Sequence, residues 1–402
     1  MTGTGDDPGV WRDLVGQDEL VSRLRESVRA AGEVRRSGDA ADASDTAGMT
    51  HAWLFTGPPG SGRSNAARAF AAALLCPTGG CGECLSCRTA LVGSHADVTL
   101  VATEQSVITV AAARETVRQA ALAPAGARWH VMIVEDADRL HERAADALLK
   151  SIEEPPPRTV WLLCAPTTED VAPTIRSRCR SLVLRTPPTA EVAAYLVGRE
   201  GVAEAVAMFA ARASQGHIGR ARALAVDESV RNRRREVLRV PGQLSTLGSC
   251  MTSAANLVDA ATEEAQQRIH ALDGREASDL ELAYGGGTRG VRPSGYPAAQ
   301  KELERNQKQR ARRVVRDSVD RSLLDLASFY RDVLCVQLGS VSELINDELR
   351  HEVATMARGT TGETSTGRLD AIFAARDALD GEVAPILALE SLMISLRGVP
   401  DE

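Results

Sequence analysis

HAWLFTGPPGSGRS, residues 51–64, joins a short apolar run to a glycine-rich turn, and the helical pattern SNAARAFAAALL follows over 64–75. Strand, glycine turn and helix in that order make a candidate phosphate loop, because backbone N–H groups and a helix start converge on one anion. Gly57, Pro58, Pro59, Gly60, Ser61, Gly62, Arg63 and Ser64 fit the frame G-x-x-x-x-G-K-[ST] with one change, Arg63 in place of lysine. Lysine there is a compact point charge, and a longer planar guanidinium does not take the same place. Two readings stay open: a loop that still takes ATP or ADP, and one that keeps its geometry and binds nothing.

Outward from this loop, apolar runs at 51–56, 97–102, 129–134, 159–165 and 180–185 alternate with helical patterns at 64–75, 109–121 and 141–153. That alternation predicts an α/β domain, a parallel sheet with helices on both faces, over residues 1–186. Residues 35–49 lack large apolar side chains and read as a flexible loop. After Pro187 the strands stop, and 187–226 read as a small helical lid. An all-helical domain is expected over 227–402, interrupted by a mobile Gly/Pro-rich segment at 272–298.

The run Val131–Val134 ends in Glu135 and Asp136. An active P-loop ATPase ends this strand in Asp-Glu, one acid for Mg²⁺ and one to orient the attacking water. The reversed order displaces each carboxylate by about one methylene, enough to impair in-line geometry. Ordinary exposed acids at a strand end are the alternative.

Cys76, Cys81, Cys84 and Cys87 fall within twelve residues. Four thiols at that spacing can wrap one tetrahedral ion with no open position, a structural Zn²⁺ site in a module of about residues 76–95. An iron–sulfur cluster is the rival, but a ferredoxin run needs a further cysteine where Leu91 stands. Unliganded thiols are the third reading, and His95 is a spare ligand nearby.

Composition bounds the rest. The 402 residues carry 47 Lys plus Arg against 54 Asp plus Glu, a net charge of −7, which argues against a surface devoted to phosphates. At 3% aromatics there is no extended base-stacking platform. No apolar run of membrane-spanning length occurs, and the polar, acidic start MTGTGDD is not a secretory signal. A reducing, cytoplasmic location with no membrane role is the expectation. The basic runs 231–239 and 305–316 have helical spacing and read as solvated faces before DNA contacts.

A phosphate loop, a four-cysteine knuckle and a reversed acid pair in one domain resemble the bacterial clamp-loader branch of AAA+ proteins. Three further strings carry the resemblance: VWRDLVGQ at 10–17, ALLKSIEEP at 147–155 and TIRSRC at 174–179. It covers about residues 10–226. It implies an arginine finger at Arg178, reaching ATP held by a neighbouring subunit, with Arg176 structural or interfacial. It also implies a sensor near Thr167, and a second sensor where this chain has Gly219, with Arg220 one step late. The implied partners are gamma/tau and delta subunits in a hetero-oligomer, and through it the beta sliding clamp and primer–template DNA. Arg63, the Glu-Asp order and Gly219 set the chain apart from active gamma/tau-like ATPases; a catalytically active AAA+ ATPase remains the alternative, and a zinc-stabilised interaction module outside replication a third.

Overall fold

The computed structural model describes residues 8–37, 48–102, 107–126, 129–283 and 295–397. The chain divides into two units, Met1–Val226 and Asp227–Glu402.

The first unit is built on five strands: β1 (Ala52–Thr56), β2 (Val98–Val101), β3 (His130–Val134), β4 (Thr159–Ala165) and β5 (Arg180–Val183). Every pairing is parallel, in the order β2-β3-β4-β1-β5. Parallel neighbours need long crossovers, and the crossovers here are helices. They are α2 (Arg63–Leu75), α3 (Leu85–Leu91), α4 (Val110–Ala120), α5 (Glu142–Glu153) and α6 (Pro173–Arg176), after a leading α1 (Asp18–Ser37). Because helices cover both faces, β1, β3 and β4 are buried along their whole length. Alternation sorts their side chains: Trp53, Phe55, Val131 and Ile133 face one core, Leu54, Met132, Trp161 and Leu163 the other. The alanines of α2 are small enough to bury that helix on nearly all sides, with Phe70 edge-on to Trp53 at 5.2 Å. Three helices end the unit: α7 (Thr189–Glu200), α8 (Glu204–Ser214) and α9 (Ile218–Val226).

The second unit has no strand among the described residues. It comprises α10 (Glu228–Arg239), α11 (Leu247–Ala283), α12 (Tyr296–Gln337), α13 (Arg350–Gly359), α14 (Gly362–Asp380) and α15 (Pro385–Arg397). Leu323, Leu326, Tyr330, Val333, Ile372, Leu389 and Met393 form its core. At 37 and 42 residues, α11 and α12 are long: about 55 and 63 Å at 1.5 Å per residue.

Two expected loops are corrected. Helix α11 runs through 272–283 and α12 starts at Tyr296, so helix replaces both ends of the 272–298 break; 284–294 lie outside the described residues. The reason is ion pairing across the two helices: Arg310 Nη1 meets Asp273 at 2.9 Å and Nη2 meets Glu276 at 2.6 Å. This offsets the roughly 1 kcal/mol that Gly274 costs a helix. Likewise α1 continues to Ser37, and only 38–47 of the expected 35–49 loop lie outside the described residues.

Candidate functional site

The glycine-rich loop lies between the end of β1 and the start of α2, which opens at Arg63. Gly60 and Gly62 have φ of 82° and 96°, a region that favours glycine. Gly60 is also a point of close approach: a Cβ there would lie 2.1 Å from Cγ of His217, at the start of α9. The Ile218 N–H donates to the Gly60 carbonyl at 3.3 Å, so the α9 end lies directly on the loop.

The charged groups of the loop are engaged within the chain. Arg63 turns back and donates from Nη1 to the Gly57 carbonyl at 2.9 Å. Arg68, one turn further along α2, pairs with Glu135 at 2.8 Å, and both side chains are largely buried. Asp136 begins the short turn after β3, where its carbonyl accepts from Arg139 N–H at 3.0 Å. Burial holds the neighbouring Asp138 carboxyl above its ordinary value. Pro58 and Ser61 close a tight turn, Ser61 N–H to the Pro58 carbonyl at 3.1 Å. Pro59 and Ser64 take no part in these contacts.

Arg178 follows α6, and its neighbours join two strings that were read separately in the sequence. Its Nη1 donates to the Thr174 carbonyl at 2.9 Å, and its Nη2 pairs with Glu153 at 3.1 Å, at the end of α5. About a third of the side chain is exposed. Arg176 lies 3.8 Å from Glu169 and is less firmly held. Burial pushes the thiol of Cys179 up to about 12, so it stays protonated at neutral pH. Thr167 caps the turn after β4, its N–H and hydroxyl both donating to Asp170 at 2.9 and 2.8 Å.

The four cysteines converge. Their sulfurs all lie within 4.8 Å of one another, with Cys76–Cys81 at 3.7 Å, Cys76–Cys84 at 3.8 Å and Cys81–Cys87 at 4.0 Å. A tetrahedral ion with about 2.3 Å bonds to sulfur has edges of about 3.8 Å, so the donor set fits Zn²⁺. Cys76 ends α2 and Cys84 caps α3, its sulfur accepting from Cys87 N–H at 3.4 Å. Burial opposes ionisation of Cys76, but the Thr78 hydroxyl and backbone N–H groups of Cys81, Gly80 and Thr78 bring it down to about 5. Backbone N–H groups of Cys84 and Glu83 lower Cys81 too, whereas burial raises Cys87. His95 stands outside the cluster, its Nδ1 accepting from Asp97 N–H at 3.0 Å. The knuckle also holds the N-terminal segment, Val10 N–H donating to the Gly80 carbonyl at 3.1 Å.

Three participants escaped the sequence reading: His217, Arg68 and Glu153. Arg68 did leave a signal, as the lone charge inside an alanine helix.

In the second unit the basic run 231–239 is partly interior. Arg234 is 4% exposed and is held by Asp325 at 3.0 Å, Glu348 at 2.8 Å and the Asn346 amide oxygen. Arg310 in the run 305–316 is buried as well.

Parallel sheet, glycine-rich strand-to-helix loop and four converging cysteines define the class: an α/β domain carrying a four-cysteine cluster, followed in the chain by a helical unit. Residues 41–188 match the family model described as DNA polymerase III, delta subunit. The chain is 39% identical over 136 residues to DNA polymerase III subunit delta' of Pseudomonas aeruginosa, covering 32% of this chain and 41% of that one. It is 35% identical over 184 residues to the Escherichia coli delta' subunit, covering 43% and 54%. With subunit gamma/tau of Mycobacterium tuberculosis the identity is 30% over 194 residues, covering 47% and 31%. The chain thus spans about a third to a half of the curated relatives it matches. A gamma subunit-related protein of Thermotoga maritima is similar in structure at a TM-score of 0.41 and 14% identity, over 92% of this chain and 98% of that one. No helix among the described residues is long and apolar enough to cross a membrane.

Proposed function

We propose that the chain is a delta-prime-type clamp-loader subunit of DNA polymerase III. It would assemble with gamma/tau and delta subunits, close the ring, and help load the beta clamp on primer–template DNA in the cytoplasm. The domain plan is an AAA+ core at 1–186, a lid at 187–226 and a helical oligomerisation domain at 227–402. The observation that carries this reading is the Arg68–Glu135 pair: a guanidinium neutralises the acid that would face Mg²⁺. Arg63 on the Gly57 carbonyl and His217 against Gly60 support it. As arranged, these residues do not fit Mg²⁺–ATP. The four thiols fit Zn²⁺, which would tie α2 to α3 in a structural role without an open coordination site.

The chain's contribution to chemistry would be Arg178. Its guanidinium, about a third exposed, would leave Glu153 and enter a neighbour's site, where a positive charge stabilises the γ-phosphate as it is transferred. The test is reconstitution with gamma/tau and delta subunits. Arg178→Ala should depress the DNA-stimulated ATPase of the complex while leaving assembly intact, and the isolated chain should turn over little ATP. Unchanged activity in the variant complex, or brisk hydrolysis by the chain alone, would remove this reading in favour of an active ATPase.

A further inference from the structure

The basic run 305–316 sits on a helix, α12, whose rotation is fixed. From Lys301 to Arg316 the sequence holds seven cations against two acids, in a chain of net charge −7. One of the seven, Arg310, is 8% exposed and turned onto α11, where it grips Asp273 and Glu276. Gln307, on the same side, donates to the Asp273 carbonyl at 3.2 Å. These contacts orient everything else on α12. At about 100° per residue, Lys301, Arg305, Lys308 and Arg312 fall in an arc of about 60°, centred about 170° from Arg310. All four are exposed. Asp273 and Glu276, the α11 acids nearest this stretch, are held by Arg310 on the inner side of α12.

On that outer face, Lys301, Lys308 and Arg312 have no ion-pair partner among the described residues. Arg305 meets Glu302 at 2.9 Å, with both side chains more than 60% exposed, a pair that opens at little cost. Glu304 flanks the stripe and accepts from Gln300 at 2.9 Å. The four cations cover about 16 Å along the axis. One strand of a duplex presents a charge about every 3.4 Å, so the stripe spans about five phosphates. Residues 300–316 contain no aromatic side chain, which leaves nothing to stack on bases.

We propose that the face of α12 bearing Lys301, Arg305, Lys308 and Arg312 binds the phosphate backbone of nucleic acid, independently of base sequence. This goes beyond the ring role and does not depend on it, since the surface belongs to one helix pair of one chain. The full-length chain alone would be titrated against a fluorescein-labelled 30-bp duplex of arbitrary sequence, with anisotropy read at 50 to 200 mM KCl. Four phosphate contacts predict a slope of about −3.6 in log affinity against log salt, a weakening of about 150-fold over that range. K308Q alone should reduce the slope by about one. K301Q/R305Q/K308Q/R312Q should lose at least tenfold in affinity at 50 mM and most of the slope, while its thermal melt and its co-purification with gamma/tau and delta subunits stay unchanged. A wild-type chain that fails to bind at 50 mM, or a quadruple variant that binds as well as wild type, overturns the proposal. So does poly-L-glutamate binding to the same four residues as tightly as DNA, which would point to an acidic protein instead.

Discussion

Replacing Arg234 with methionine should cost the helical unit about 3–5 kcal/mol. Methionine keeps much of the apolar stem but removes the guanidinium that Asp325, Glu348 and Asn346 all address. The Arg234 and Asp325 side chains are 3% and 8% exposed, so water does not replace the lost charge, and breaking one side of a buried pair carries a penalty of that size. For a unit of this size each kcal/mol moves the midpoint by about 2–4 °C, so the fall in melting temperature should be about 6–20 °C. Differential scanning calorimetry on the full chain, with helical ellipticity followed in parallel, resolves the transition of this unit. Arg235→Met is the internal control: Arg235 is exposed and, among the described residues, bonds only Asn232 on its own helix, so it should cost no more than about 0.5 kcal/mol. Removing Asp325 as well, in R234M/D325L, should recover part of the loss because no buried carboxylate is then left behind. A loss below about 1 kcal/mol for R234M, or equal losses for Arg234 and Arg235, would refute the argument.

Purified protein should contain one zinc per chain by metal analysis, and Cys76→Ser or Cys87→Ser should abolish it; metal-free protein would reject the knuckle. Arg63→Lys alone should not create tight ATP binding in equilibrium dialysis, because Arg68 still occupies Glu135 and His217 still covers Gly60; micromolar binding by that variant would refute the closed-loop account. Burial opposes ionisation of Glu264, but the Ser318 hydroxyl and the Arg321 and Arg233 guanidiniums hold its carboxyl below the ordinary value. Stability from this group is therefore complete above the unfolded carboxylate value and drains away as pH falls through the lower folded one. Glu264→Gln should flatten that part of the acid limb in urea titrations, and an unchanged limb would dismiss the contribution.

Much of the first unit was legible because its signals are local. Each strand falls within about two residues of its apolar run, and the cysteine spacing alone brings four sulfurs to one point. What escaped depends on pairs far apart in the chain. Arg68 and Glu135 are 67 residues apart, Arg178 and Glu153 are 25 apart, and Arg234 meets Asp325 across 91. No periodicity announces such partners. The run 231–239 shows the difference: its charges look alike in sequence, yet only burial separates Arg234, an interior staple, from Arg235 in water. The Gly/Pro break at 272–298 was overestimated for the same reason, since Arg310 supports the end of α11 from the neighbouring helix.

The sheet order has a consequence for the chain as it is made. Among the described residues, β1 pairs only with β4 and β5, and β4 begins about 100 residues after β1 ends. At about 5–20 residues per second, β1 leaves the ribosome about 5–20 s before a strand exists to pair with it. Through that interval AWLFT is an apolar strand with both edges open, an invitation to stick to other nascent chains. The first element able to cover Trp53 and Phe55 is α2, through Phe70, and the cysteines that fasten its far end to α3 have all been synthesised by residue 87. A metal captured at that point would hold the first helix pair together while the rest of the sheet is still being translated.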